Sequence, residues 1–210
     1  EPEPPAAEAA PLDLEAPNTV EDQVAYTIVN AYETTNVVPP RVTGVHTYYE
    51  APAGSTYLVM VTDVQNLGGQ SARADTLLSA SLEAAGSQYP GFSIVEEDSG
   101  ETFGYANITD VGALQSVRLY FLFEVPEGTD TTDLTVTFTA GDDVRAGSFA
   151  LSTFESRVGE LAVGQEITDG ETLSLTVEDI YFSTTLYPLM PSGYYHYYSA
   201  DSGNTFLILK

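Results

Sequence analysis

Two histidines, His46 and His196, are all that this 210-residue chain offers for imidazole chemistry, and it contains no cysteine. A Ser–His–Asp relay also needs its serine presented on a sharp strand-to-helix turn, and no G-x-S-x-G elbow occurs. The missing cysteine removes disulfides, thiolate nucleophiles and thiolate metal sites together. Paired carboxylates serve glycoside hydrolysis, but with 31 acidic residues a pair at any separation arises by chance. Oxygen ligands for Ca²⁺ could gather from the loops Glu96–Glu101, Glu127–Asp133 and Gly141–Asp143, although none has EF-hand spacing and a solvated acidic surface explains them as well. No catalytic, cofactor-binding or metal-ligating residue is assigned. The chain is not expected to be an enzyme, and Ca²⁺ is the only ion its loops suggest.

Two further features invite a role. The stretch "GYYHYYSAD" carries Tyr194, Tyr195, Tyr197 and Tyr198, and "TYYE" carries Tyr48 and Tyr49. Tyrosine rings with a polar tip suit a carbohydrate platform, and suit equally a loop packed over a sandwich end or a joint between domains. Asn107, with Ile108 and Thr109, forms the only N-glycosylation sequon, placed at a strand end where an enzyme could reach it.

The elements that must hold these residues read as strands. "DLTVTFTA" alternates, with Leu134, Val136, Phe138 and Ala140 on one side and three threonines on the other. In "SVRLYFLFEVP" the inward set is Val117, Leu119, Phe121, Phe123 and Val125; Tyr120 and Leu122 add apolar weight to the second face, which predicts a central strand. "TYLVMV", at Thr56 to Val61, is continuously apolar, as in a strand covered on both sides. Gly, Pro, Asn and Asp clusters separate these runs, so many short strands with turns between them predict an all-β sandwich. "ARADTLLSASLEAAG" is the one place where a helix competes, and strand plus turn is the expectation there.

The chain repeats itself. Thr27, Tyr32, Thr35, Pro39, Gly44, Tyr48, Tyr49, Ala51, Gly54, Thr56 and Leu58 recur, without a gap, as Thr176, Tyr181, Thr184, Pro188, Gly193, Tyr197, Tyr198, Ala200, Gly203, Thr205 and Leu207, always 149 positions later. That register superposes neither histidine on the other, which excludes a duplicated histidine site. Residues 1–11, "EPEPPAAEAAP", read as an extended Pro/Ala/Glu linker, residues 12–160 as one sandwich, and residues 161–210 as an incomplete second copy. Fifty residues cannot enclose a sandwich core. Completion from outside is expected, most simply by chain continuing past Lys210 and next by exchange between subunits, with Leu173, Leu175, Val177, Phe206 and Ile208 on the buried face; the remaining alternative is that these strands extend the first domain's sheet.

Composition sets the environment. The formal net charge is −25 and the only lysine is Lys210, so basic patches for nucleic acid or anionic lipid are missing. Self-repulsion of this size is tolerated where salt shortens its range, to about 3 Å at 1 M. A halophilic, haloarchaeal source is the expectation. No run approaches the roughly 18–20 apolar residues of a membrane helix.

"APAGSTYLVMVTDVQNLG" resembles a strand pattern, with Gly54, Tyr57, Val59, Val61, Asn66 and Gly68 in place, and "YFLFEVPEGTDTTDLTV" a second one through Phe123, Val125 and Pro126. Both patterns are similar to those of the immunoglobulin-like surface domains called DUF4352-like or telomeric-repeat-factor-like, over most of residues 20–140 and again from Leu161. The resemblance implies an immunoglobulin-like β-sandwich followed by the start of a second, exported to the cell surface or medium and without catalytic residues. The family's lipid-attachment cysteine is missing. The expectation is a non-enzymatic extracellular structural or assembly module, in a cell surface, an appendage or a virion, binding protein partners or copies of itself. A glycan- or ligand-binding module is the alternative.

Overall fold

The computed structural model describes residues 9–40, 48–97, 100–155, 164, 166–168, 174–186, 197–201 and 204–209. The chain divides into two compact units, Glu1–Val158 and Gly159–Lys210. In the first unit the strands are β1 (Ala10–Pro11), β2 (Asn18–Val20), β3 (Val24–Thr34), β4 (Asn36–Val37), β5 (Tyr49–Glu50), β6 (Ser55–Asn66) and β7 (Ala72–Arg73). After a helical turn, α1 (Ala74–Leu77), come β8 (Ser79–Ala84), β9 (Ser87–Pro90), β10 (Phe92–Glu96), β11 (Phe103–Tyr105), β12 (Asp110–Val111), β13 (Ser116–Pro126), β14 (Leu134–Ala140) and β15 (Asp143–Phe149). A second helical turn, α2 (Ser152–Glu155), follows. The second unit holds β16 (Glu166–Thr168), β17 (Ser174–Thr176), β18 (Ile180–Ser183), β19 (Thr185–Leu186), β20 (Tyr198–Ser199) and β21 (Phe206–Leu209).

The first unit is an all-β sandwich. Its six-stranded sheet runs β11-β10-β13-β6-β3-β2 and its five-stranded sheet β1-β15-β14-β8-β9. Every pairing in the two sheets is antiparallel except β1 on β15. Ala10 and Pro11, read from sequence as the end of the linker, therefore belong to the fold as an edge strand. The segment beginning at Ala74 is helical for one turn before it becomes β8, so strand and turn describe its larger part but not its start.

Alternation builds the core. Leu119, Phe121, Phe123 and Val125 of β13 point between the sheets, where they meet Leu58 and Met60 of β6 and Leu134, Val136, Phe138 and Ala140 of β14. The rings of Phe121 and Phe138 meet edge-on at 5.4 Å, and Tyr26 lies 5.2 Å from Phe138. Tyr120 and Leu122, of the opposite parity, join Val59, Val61, Ile94, Phe103 and Val37 in a second cluster on the outer face of the same sheet. A strand covered on both faces is what the unbroken apolar runs require, and β6 and β13 are the two central strands.

Two backbone positions shape the sandwich. The chain crosses from one sheet to the other between β9 and β10 at Gly91, whose amide donates to the Ala80 carbonyl at 2.9 Å. A Cβ there would lie 2.7 Å from that oxygen and 2.8 Å from Phe123 Cε1, so only glycine lets the crossing close on the core. At the far end of β6, buried Asn66 donates to the Gln70 and Val111 carbonyls at 2.8 and 2.9 Å and accepts from the Gly68 amide at 2.9 Å. That network ties the following loop to β12.

Candidate functional site

The outer face of the six-stranded sheet carries the first candidate surface. β4 and β5 pair through Val37 and Tyr49 and lay both over the second cluster. The Tyr49 ring packs at 5.6 Å from Phe92 and 6.3 Å from Phe103, which stands edge-on to Tyr120 at 5.0 Å. Burial, with the neighbouring Tyr105, raises the Tyr49 hydroxyl above its usual range. Around this cap Tyr48, Phe92 and Tyr105 remain 53%, 46% and 51% exposed. Phe92, Phe103 and Tyr105 were not singled out in the sequence. Their signal was indirect: the apolar second face of "SVRLYFLFEVP" had to be covered by something.

Beside it lies an open cleft of about 880 Å³ lined by Asp63, Glu96, Glu97, Asp110 and Arg118 among others. Arg118 is held by Asp63 in a bidentate pair, Nε to Oδ1 at 2.7 Å and a second nitrogen to Oδ2 at 3.0 Å. The Tyr120 hydroxyl donates to Glu96 Oε2 at 2.8 Å; burial first, and then this bond to a carboxylate, push its pKa strongly upward. The cation of the cleft already has its partner.

The candidate calcium loops use their carboxylates locally. Asp130 accepts from the amide and hydroxyl of Thr132, which lowers its pKa, and Asp143 pairs with Arg145 at 2.9 Å. Among the described residues no three His, Cys, Asp or Glu side chains converge as metal ligands. Asn107 lies exposed in the turn after β11, with the Thr109 hydroxyl donating to the Tyr105 carbonyl at 2.9 Å. His46, His196, Tyr194 and Tyr195 lie outside the described residues.

The second unit carries the other candidate surface. Its strand pairs fall on those of the first unit displaced by 149: Ile167↔Leu175 on Asn18↔Tyr26, Tyr181↔Ile208 on Tyr32↔Val59, and Leu186↔Tyr198 on Val37↔Tyr49. Local bonds recur as well. The Thr34 hydroxyl donates to the Asn36 carbonyl at 2.9 Å and that of Ser183 to Thr185 at 2.7 Å. The bulge that shifts β3 between Ile28 and Asn30 recurs as the break between β17 and β18.

This register corrects one sequence expectation. Leu175 and Val177 correspond to the core-facing Tyr26 and Ile28, but Phe206 and Ile208 correspond to Tyr57 and Val59 on the outer face. By this register the core-facing residues of β21 are Leu207 and Leu209, the counterparts of Leu58 and Met60, since β6 turns its even-numbered positions inward along its length. Leu175, Leu207 and Leu209 are 52%, 58% and 62% exposed, and Tyr197 and Tyr198 are exposed too. Leu173 lies outside the described residues.

Comparison with solved structures agrees with the fold. The chain is similar to an uncharacterized β-sandwich protein from Clostridium difficile 630, with a TM-score of 0.60 and 21% identity over 70% of this chain and 99% of that one. It also aligns with the archaellum periplasmic stator protein complex FlaF and FlaG from Sulfolobus acidocaldarius, at a TM-score of 0.24 and 11% identity over 55% of this chain and 89% of that one. No family model matches the chain, and no curated protein matches it. The class defined is the β-sandwich.

Proposed function

We propose that the chain is a non-enzymatic structural and assembly module, an immunoglobulin-like sandwich of the DUF4352-like kind followed by the first part of a second, carried at a cell surface or outside the cell of a halophile. The observation that carries this reading is the second unit: among the described residues it repeats part of the first unit's strand pairing with exposed apolar side chains, Leu207 and Leu209 among them. A module built to join others has that form. These residues are scaffold positions, so they serve contact and not chemistry. Protease treatment of intact source cells should remove the protein while cytoplasmic markers survive, and deleting it should disturb a surface layer or appendage. Retention of the protein behind an intact membrane would overturn the location, and turnover of an ester or glycoside lost on changing His46 would overturn the non-enzymatic reading.

The charge supports the halophilic part. Arg73, Arg118 and Arg145 each pair with an aspartate, which leaves few cations to offset the formal net charge of −25. Lowering KCl from molar to tens of millimolar should therefore lower the melting temperature, because self-repulsion loses its screening. A melting temperature independent of salt would sink the halophile reading.

The glycan-binding reading has one observation in its favour, the partly exposed rings of Tyr48, Phe92 and Tyr105 around Tyr49. Glycan-array binding abolished by Phe92→Ala would promote it.

A further inference from the structure

We propose that Asn107 carries an N-linked glycan and that the first sugar of that glycan packs against the exposed ring of Tyr105, two residues earlier. This rests on the surface-module reading, since such glycans belong to exported chains, and it concerns a glycan that the chain carries, not one that it binds. The sequon lies in a tight turn after β11. The Tyr105 carbonyl accepts twice there, from the Ile108 amide at 3.2 Å and from the Thr109 hydroxyl at 2.9 Å. Two further bonds fix the turn to α1: the Ala74 amide donates to the Thr109 carbonyl at 2.9 Å and the Asp75 amide to the Ala106 carbonyl at 3.3 Å. Ala106 is buried, while Asn107 is exposed to solvent. The turn therefore presents Asn107 from a fixed base.

The surface around Asn107 is of the kind a sugar covers. Tyr105 is 51% exposed and Ile108 74% exposed, so apolar side chains meet water on both sides of the acceptor in the sequence. A four-residue turn keeps its first and last Cα within about 7 Å, which leaves a sugar on Asn107 within reach of the Tyr105 ring. The Tyr105 hydroxyl shares a hydrogen bond with that of Tyr49, which anchors the ring at its far end. An aromatic face gives the C–H side of a pyranose a flat apolar partner while the sugar hydroxyls stay in water. Charge points the same way. No acidic or basic residue occurs between Glu101 and Asp110, whereas the turns at Glu127–Asp133 and Gly141–Asp143 carry acids. An attached glycan supplies the hydration that carboxylates supply in those turns.

Attachment is redox-neutral. Asn107 Nδ2 forms a bond to C1 of the first sugar of a lipid-phosphate-linked oligosaccharide, and the bond from C1 to the phosphate oxygen breaks. The lipid phosphate leaves with that electron pair, and the amide gives up one proton. A membrane glycosyltransferase catalyses the step. This chain contributes the acceptor and the ring that receives the product.

The test uses protein purified from source cells, as wild type and as the variants Asn107→Gln, Tyr105→Ala, Tyr105→Phe and the two double variants with Asn107→Gln. Peptide mass spectrometry of the wild type should find the glycan on Asn107, and an unmodified Asn107 would overturn the proposal. The glycan should raise the folded-to-unfolded ratio of the first unit at least about twofold over the Asn107→Gln chain, the low end of what an aromatic contact contributes. Each Tyr105 variant is compared with the same variant lacking the acceptor, so that packing lost with the ring itself cancels. The glycan's gain should persist in Tyr105→Phe and vanish in Tyr105→Ala. Proton resonances of the first sugar should be shifted upfield by the ring in the wild type and not in Tyr105→Ala. No gain in the wild type, or an equal gain in Tyr105→Ala, would overturn the contact between sugar and ring. A chain that protease removes from intact cells but that bears no glycan on Asn107 sinks this inference alone and leaves the surface-module reading standing. Retention of an unmodified chain behind the membrane sinks both.

Discussion

The second unit repeats three of the first unit's strand pairs and reaches the opposite exposure. Tyr32 opposes Val59 and Tyr181 opposes Ile208, yet Leu58 is 3% exposed and its counterpart Leu207 is 58% exposed. Register is a local property, set by turn chemistry and by bonds such as those of Thr34 and Ser183 at the corner between strands. Burial is not local. It requires the second layer that β8, β14 and β15 supply in the first unit. The difference separates what holds a strand in register from what keeps its face dry.

Truncation at matched positions measures that difference directly. Leu58→Ala should cost about 2–5 kcal/mol, since it opens a cavity between two sheets. Leu207→Ala should change stability by no more than about 0.5 kcal/mol, as expected for an exposed side chain. Denaturant titrations of both variants check the pair, and equal losses would mean that the second face is covered after all. A smaller effect, also confined to the first unit, is expected from Gly91→Ala. The added methyl meets the Ala80 carbonyl and the Phe123 ring, and the overpacking should cost about 1–3 kcal/mol. A variant as stable as wild type would show that the crossing between sheets has slack.

Much of the first unit was legible in the sequence, and the reason is period two. β6, β13 and β14 announce both their strand character and their inward faces, because each is long enough for alternation to hold its phase. The phase is lost at a bulge. Nothing in "VAYTIVNAY" marks Val29 as the residue that shifts parity, and "TYLVMV" is apolar on both faces, so the inward parity of its repeat at Phe206–Leu209 carried no signal in the sequence. Short elements were hidden for a related reason: α1 spans four residues, too few for a helical period to show. The outer aromatic surface was half legible. Tyr49 was named, but Phe92, Phe103 and Tyr105 reach it from β10 and β11 by tertiary contact alone.

Titration should separate the units as well. Burial raises the Tyr26 hydroxyl to about 12, against an ordinary value of 10.0. A phenol whose folded pKa lies above its unfolded one contributes stability that is complete below about pH 10 and is lost as pH rises through about 12. The counterpart of Tyr26 in the second unit is Leu175, which does not titrate. Alkaline unfolding followed by near-ultraviolet absorbance should therefore report loss of the first unit between those values. A stability profile flat to pH 12 would contradict the burial of Tyr26.

A small stabilisation tests whether the units are energetically separate. β8 and β9 are joined by two residues, Ala85 and Gly86, with φ of 50° and 74°, and the flanking pair is Ala84↔Ser87. Both central residues thus occupy the left-handed region of a type I′ turn, where Asn-Gly is favoured and a Cβ-bearing alanine is strained. Ala85→Asn should stabilise the first unit by about 0.5–1 kcal/mol, read as a rise in its unfolding midpoint. Because Ala85 is exposed on the surface, no core contact is exchanged for the gain. If the second unit opens independently, hydrogen exchange at residues 206–209 stays as it was. Slower exchange there in the Ala85→Asn chain would mean that the stability of the first unit is transmitted to β21, and the contrast between Leu58 and Leu207 would then describe one cooperative body instead of two.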